Sequence, residues 1–279
     1  MRGPGRLFVL ASALFASCSP FTSGEGEAAD ASAPVDADAA LVDGSVEVDG
    51  GSEAGPCSDG ALSFANTSFV EVPPNAMLDP GGALTVEAWV LPNPTTGNES
   101  HIIGHSAHVA ADGYVLMLVD NRLELRIYSG TAGGGIKATA TGTLEYNVWH
   151  HVAGVYDPSK SHARVYVDGK RVGTSAVGPA AEPFGGPLRF GMPSSSYVYP
   201  YSGLIDEVRL SRAARYDADF VPAYPLPDAE ENTIGTWHFA EREGTVAASS
   251  NGALVGTLGA FPDTAARPIW TTPTVCPRL

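Results

Sequence analysis

The chain has 279 residues, a formal net charge of −15, 32 glycines, 22 prolines and three cysteines. The charge is uneven: residues 19–56 carry nine acidic groups and no Lys or Arg, leaving 22 acidic and 14 basic residues, a net −8, from Cys57 onward. With no Lys/Arg cluster to neutralise phosphates, nucleic acid is excluded as a partner, and the negative balance reads as solubility.

The N-terminus, MRGPGRLFVLASALFASCSP, places Arg2 and Arg6 ahead of an apolar run from Leu7 to Ala16. That run is shorter than the roughly 20 residues a membrane span needs, so residues 1–17 read as an export signal. FASC resembles the bacterial lipobox, in which small residues precede a cysteine that becomes acylated, with Phe15 standing where Leu is usual. The resemblance implies lipidation of Cys18, a membrane anchor and, with Ser19 following, an outer-membrane lipoprotein of the cell envelope. The alternative is cleavage after Ala11-Ser12-Ala13, which gives a soluble secreted protein. With Cys18 acylated, Cys57 and Cys276 remain as an even pair in an oxidising compartment, where such pairs close. A Cys57–Cys276 bridge is therefore expected at the edges of the folded region, worth at most about 5 kcal/mol by chain entropy.

Residues 18–56 are Ala, Asp, Gly, Ser and Pro with almost no aromatics. Such a segment buries too little apolar surface to offset its ordering entropy, and its charges repel. It reads as a disordered acidic stalk behind the anchor.

From Cys57 to Leu279 the texture changes to short alternating runs between turn residues. ALTVEAWVL (83–91) puts Leu84, Val86, Ala88 and Val90 on one face and Thr85, Glu87 and Trp89 on the other. YVLMLVDNRLELRIY (114–128) reads as two strands around Asp120-Asn121, with Leu123, Leu125 and Ile127 opposed to Arg122, Glu124 and Arg126. WHHVAGVYD (149–157) and ARVYVDGKRVG (163–173) follow, the second turning at Asp168-Gly169. PLRFGM (187–192), GLIDEVRL (203–210) and TIGTWHFA (233–240) are further strands, and the helical period is limited to one turn at SRAARYD. At strand period GLIDEVRL sets Leu204, Asp206, Val208 and Leu210 against Ile205, Glu207 and Arg209. That leaves a carboxylate in an apolar row, which is costly unless it is paired, hydrogen-bonded or metal-bound. Many short strands without α-β alternation predict one all-β sandwich or barrel over residues 57–279.

In this order ALSFANTSFVEVPPNAMLDPGGALTVEAWV, WHHVAGVYD, VYVDGKRVG and SGLIDEVRLSRAARYDADF resemble the laminin G-like, concanavalin A-like jelly roll of bacterial exported proteins. The tail TIGTWHFAEREGTVAASSNGALVGTL resembles a segment that often leads that domain and here follows it. The resemblance implies two antiparallel sheets that bind glycans or proteins, with structural calcium in some relatives. Asp206 matches the family's aspartate in the IDEV motif. Where relatives carry a Gly-Asp-rich turn, this chain reads Ala65, Asn66, Thr67 and Ser68, so Asp206 and Asn66 are the side-chain candidates for calcium, which prefers six to eight oxygens. The other reading of Asp206 is a carboxylate accepting backbone N–H bonds. Tyr201 matches a core aromatic of the family.

Catalysis finds little support. A retaining glycosidase needs two carboxyls about 5 Å apart. The nearest glucanase-like run, Glu47 to Glu53, has the wrong spacing and lies in the stalk, while a flat strand throws Asp206 and Glu207 to opposite faces. Glu87 reads as architecture. GTAGGGIKAT (130–139) reads as a hairpin loop rather than a phosphate loop. His150 and His151 point to opposite faces, and His101, His105 and His108 read as a polar loop rather than a zinc site. The remaining candidates are Tyr197 and Tyr199 in SSSYVYPYSG, which offer rigid area with a polar tip to a glycan. The expectation is a non-catalytic surface module for glycan or protein. The alternatives are an adhesive envelope component and a polysaccharide hydrolase.

Overall fold

Turn residues cut the chain into runs of three to nine residues with alternating apolar positions, and a computed structural model shows how these pair. It describes residues 60–79, 81–94, 98–106, 112–130, 135–160, 162–176, 182–194, 198–228, 230–262 and 266–277, all within one unit spanning Gly51–Leu279. The export signal, Cys18, the stalk, Cys57, His108 and Tyr197 lie outside the described residues.

The strands are β1 (Ala61–Phe64), β2 (Ser68–Val72), β3 (Leu84–Pro92), β4 (Glu99–His105), β5 (Tyr114–Val119), β6 (Arg122–Ile127), β7 (Ile136–Thr139) and β8 (His150–Asp157). They continue with β9 (His162–Val167), β10 (Lys170–Ala176), β11 (Leu188–Phe190), β12 (Gly203–Ser211), β13 (Thr233–Trp237), β14 (Val246–Ala248), β15 (Val255–Ala260) and β16 (Ile269–Thr271). The first sheet runs β10-β9-β8-β3-β12-β1-β16, with β13 also on β12, and the second runs β14-β15-β2-β11-β4-β5-β6-β7. Every pairing within these ladders is antiparallel. Long crossovers such as β1 to β12 and β2 to β11 make this the all-β jelly-roll sandwich that the strand pattern predicts.

The predicted hairpins form where the chain can take φ > 0. Asp120 and Asn121 join β5 to β6 at φ 48° and 59°, and Asp168 and Gly169 join β9 to β10 at 51° and 71°. Val86, Ala88 and Val90, with Val165 of the same sheet, share one core with Leu116 and Leu125 of the other, and Phe190 stands edge-on to Trp237 at 5.1 Å. Along one side the two sheets close on each other: Thr141 N donates to Val172 O at 3.0 Å, and a Cβ on Gly173 would lie 2.2 Å from Thr139 O. Only glycine permits that approach.

Three expectations are corrected. His101 and His105 stand in β4 and not in a polar loop. No helical turn forms at SRAARYD; the helical pieces among the described residues are 3-10 turns at 76–78 and 158–160. The third concerns β12. Asp206 pairs with Trp89 and Arg209 with Glu87, so Glu207 and Val208 together oppose Ala88 alone. This is a bulge, with Glu207 at φ 51°. The extra residue shifts the phase: Ile205, Val208 and Leu210 face the core, whereas Asp206, Glu207 and Arg209 all face outward. Asp206 therefore never enters the apolar row, and it shares a face with Glu207.

Candidate functional site

The outward residues of the first sheet form a mixed surface. Thr85, Glu87 and Trp89 on β3 lie beside Asp206, Glu207 and Arg209 on β12, with His151 on β8 and Arg164 and Tyr166 on β9. Residues 212–232, between β12 and β13, cross this surface as a strap. Tyr216 and Phe220 pack on Ala153, Val155 and Tyr166, while Tyr224 and Leu226 pack on Trp89 and Trp149. The charges beneath are paired. Arg209 Nε donates to Glu87 Oε1 at 2.8 Å, Tyr216 Oη donates to Glu87 Oε2 at 2.7 Å, and His151 Nε2 lies 3.2 Å from Oε2. Burial alone would raise the Glu87 carboxyl, but His151 and then Arg209 outweigh it and hold the group down at about 2. Glu87 is thus held as an architectural residue.

Asp206 Oδ1 accepts the Glu207 backbone N–H at 2.8 Å and Oδ2 accepts the Tyr224 hydroxyl at 3.0 Å. Glu207 accepts the Leu226 N–H at 2.7 Å and lies 2.8 Å from His238 Nδ1, while His238 Nε2 reaches Asp228 on the strap. The bonds from Glu207 raise His238, burial opposes them, and the added pull of Asp228 leaves it at about 9. A raised histidine stabilises the fold fully below its unfolded value of 6.5, and the contribution disappears as pH rises through 9. We expect this latch to contribute about 1 kcal/mol after solvent screening. Urea midpoints at pH 6 and pH 10 should converge for the protein and its His238→Gln variant at the higher pH only; parallel curves would remove the latch.

The two calcium candidates are not brought together. Phe64 pairs with Gly203, so Asn66 (φ 53°) occupies an exposed turn beyond that end of β12, whereas Asp206 lies about 10 Å along the strand beneath Tyr224. Among the described residues no three His, Cys, Asp or Glu side chains gather as a metal set.

The outer face of the second sheet carries Tyr199, in the segment between β11 and β12 that lies over β4. This residue is 37% exposed, sits at φ 59° and lies nearly parallel to the His101 ring at 6.3 Å, with its carbonyl accepting the His101 N–H at 3.0 Å. Tyr197 is outside the described residues, and Tyr201 is buried in the core as expected. On one flank Arg126 Nη2 donates to Glu99 at 2.9 Å and Nε donates to Glu124. Burial would lower the Arg126 guanidinium, but these carboxylates push it above its ordinary value. On the other flank Arg189 donates to Glu71 from Nε and Nη2, both at 2.7 Å, and lies 4.3 Å over the Phe69 ring. Phe69 and His101 are two strands apart, about 10 Å. The face therefore carries one partly exposed ring over β4, with Arg126 on β6 to one side and the buried Arg189 on β11 to the other, each held by carboxylates. The signals that sequence reading passed over were Phe69 and Arg189, on opposed positions flanking a turn and a short strand.

Two concavities lie on the first sheet's side among the described residues. One of about 400 Å³ is lined by Leu91, Trp149, Leu204, Val275 and Cys276. Trp149 Nε1 donates to Val275 O at 2.9 Å, and Cys276 is disulfide-bonded. The other, also about 400 Å³, opens beside the strap at Arg209, Arg215 and Glu230.

The Laminin G 3 family model, described as the concanavalin A-like lectin/glucanases superfamily, matches residues 64–219. Among solved structures, the chain is similar to a candidate carbohydrate binding protein from Bacteroides ovatus, with a TM-score of 0.61 and 20% identity. The match covers 78% of this chain and 61% of that one, so the chain spans about three fifths of its length. A native heptameric SAP-like pentraxin from Limulus polyphemus gives a TM-score of 0.47 and 16% identity over 74% and 98% of the two chains. Mouse laminin alpha1 chain domains LG4-5 give 0.43 and 15% over 59% and 48%. A search of curated proteins returned no match. With the family model spanning more than half of the sequence, and the strand order and buried IDEV motif of the sandwich agreeing with it, the chain belongs to the concanavalin A-like lectin/glucanases superfamily.

Proposed function

We propose that the protein is a non-catalytic, lipid-anchored module of the cell envelope that binds carbohydrate on the outer face of its second sheet. The observation that carries the reading is Tyr199, an exposed ring flanked by the braced guanidiniums of Arg126 and Arg189. Such a surface offers a stacking plane without chain ordering at the moment of binding. Against hydrolysis stands the company the acidic groups keep: Glu99 and Glu124 share Arg126, Glu87 and Glu230 share Arg209, and Glu207 and Asp228 share His238. A general acid needs a raised carboxyl, whereas Glu87, Asp217, Asp219 and Asp228 are each moved down. In this reading Cys18 carries the lipid, residues 18–56 form the stalk, and the bonded partner of Cys276 is Cys57.

Tyr199→Ala is expected to reduce retention of the domain on a glycan array by at least about tenfold, or roughly 1–2 kcal/mol, while its melting temperature changes little. Undiminished retention with Tyr199→Ala would reject the assignment, and turnover of a polysaccharide would reject the non-catalytic reading.

A further inference from the structure

The pocket beside the strap has no role in the binding face described above, yet it is built around charge. Arg209 is only 3% exposed, and its three nitrogens reach different partners: Nε to Glu87, Nη1 to Glu230 at 2.9 Å and Nη2 to the Tyr216 hydroxyl at 3.1 Å. Arg215 Nη1 donates to the same Glu230 Oε2, while its Nε and Nη2 are held by Ser211 and Thr233. The two guanidiniums therefore stay aimed at one point from the strand and from the root of the strap. Glu87 balances one of these charges from inside the sheet. Glu230 balances the other from a side chain that is itself 42% exposed, touching both cations through one oxygen.

We propose that Glu230 is a tethered occupant of a carboxylate-binding pocket, and that the pocket takes a monocarboxylate with a flat apolar body when Glu230 withdraws. The volume of about 400 Å³ is in the range of small-ligand sites. Beyond the two arginines the walls are Ala213, Phe220, Val221 and Pro227, with the Tyr216 and Phe220 rings stacked at 3.5 Å and 5°. A neutral sugar gains nothing from two convergent guanidiniums. A dianion exceeds the single positive charge that Glu230 neutralises. One carboxylate on an apolar body satisfies both the head of the pocket and its walls. Because Glu230 is held at high effective concentration by its own chain, a free carboxylate meets a mostly filled site, and its apparent affinity falls by the unoccupied fraction.

The test uses the full chain and ligand-observed NMR titrations with benzoate, and with benzyl alcohol as the uncharged control. Glu230→Gln is expected to bind benzoate about tenfold more tightly than the unaltered protein, with no gain for benzyl alcohol. Adding Arg215→Gln should abolish that gain. Glu230→Asp, which shortens the tether and keeps the charge, should show a smaller gain in the same direction and serves if the glutamine variant does not fold. Equal benzoate affinity across the folded variants, or an equal gain for benzyl alcohol, overturns the proposal. Neither outcome touches Tyr199, which stands on the other sheet, so the glycan reading is judged separately.

Discussion

Replacing Arg209 with methionine should lower the free energy of unfolding by about 3–5 kcal/mol, the loss expected when one partner of a buried ion pair is removed. Methionine keeps most of the side chain's length and apolar stem, so packing changes little. What changes is Glu87, which is fully buried and loses its closest cation at 2.8 Å. The Tyr216 hydroxyl and His151 remain, but the strap loses its tie to the sheet through Glu230. The pH dependence carries the same signature. A carboxyl held at about 2 against an ordinary 4.5 contributes stability above 4.5 and loses it as pH falls from 4.5 to about 2. The size of that contribution is about 3 kcal/mol. Guanidinium titrations at pH 7 and pH 3 should therefore show a steep acid loss in the unaltered protein and a flatter one in Arg209→Met. Adding Glu87→Leu should restore part of the loss, since an apolar pair of similar volume replaces a buried ion pair at low cost. A loss below about 1 kcal/mol at pH 7 would mean that the network under the strap does not hold it down.

Deleting Glu207 should leave the sandwich folded, whereas deleting Val208 should unfold it. Without Glu207, β12 reads Leu-Ile-Asp-Val-Arg-Leu, and Asp206, Val208 and Arg209 meet Trp89, Ala88 and Glu87 as a regular antiparallel ladder. The core keeps Ile205, Val208 and Leu210. What disappears is the acceptor for Leu226 N and the partner of His238, a loss of about 1–3 kcal/mol concentrated in the strap. Without Val208 the same ladder must turn Glu207 inward opposite Ala88, which places an unpaired carboxylate in the apolar core and costs several kcal/mol. Circular dichroism with a thermal melt reads both. A folded Val208 deletion, or an unfolded Glu207 deletion, would show that the bulge is not a removable insertion.

The same bulge shows how far the sequence reaches. Period-two alternation is legible in ALTVEAWVL and RLELRI because each of these strands is regular, and the Asp120-Asn121 and Asp168-Gly169 turns are legible because φ > 0 favours those residue types. IDEV was misphased because one residue at φ 51° breaks the period without any glycine to announce it. The clue available was that omitting Glu207 restores a strict alternation on both sides. His101 and His105 read as loop positions because ESHIIGH holds four polar residues in seven, yet in β4 His101 faces outward beneath Tyr199 while His105, past a bulge, turns inward with Tyr114 and meets Asp79. These neighbours are distant in sequence, so local pattern carried no sign of them.

By itself the sequence determined the class of the fold, the hairpin turns and the inward row of β3, because each depends on residues within one strand or turn. The tertiary structure decided which face of β12 carries Asp206, that residues 212–232 close one sheet, that Asn66 and Asp206 stay apart, and that Tyr199 stands between two braced arginines. The physical reason is range: backbone period and turn preference act over a few residues, whereas burial and charge pairing depend on segments such as Glu87 and Glu230 that only folding brings within hydrogen-bonding distance of one arginine.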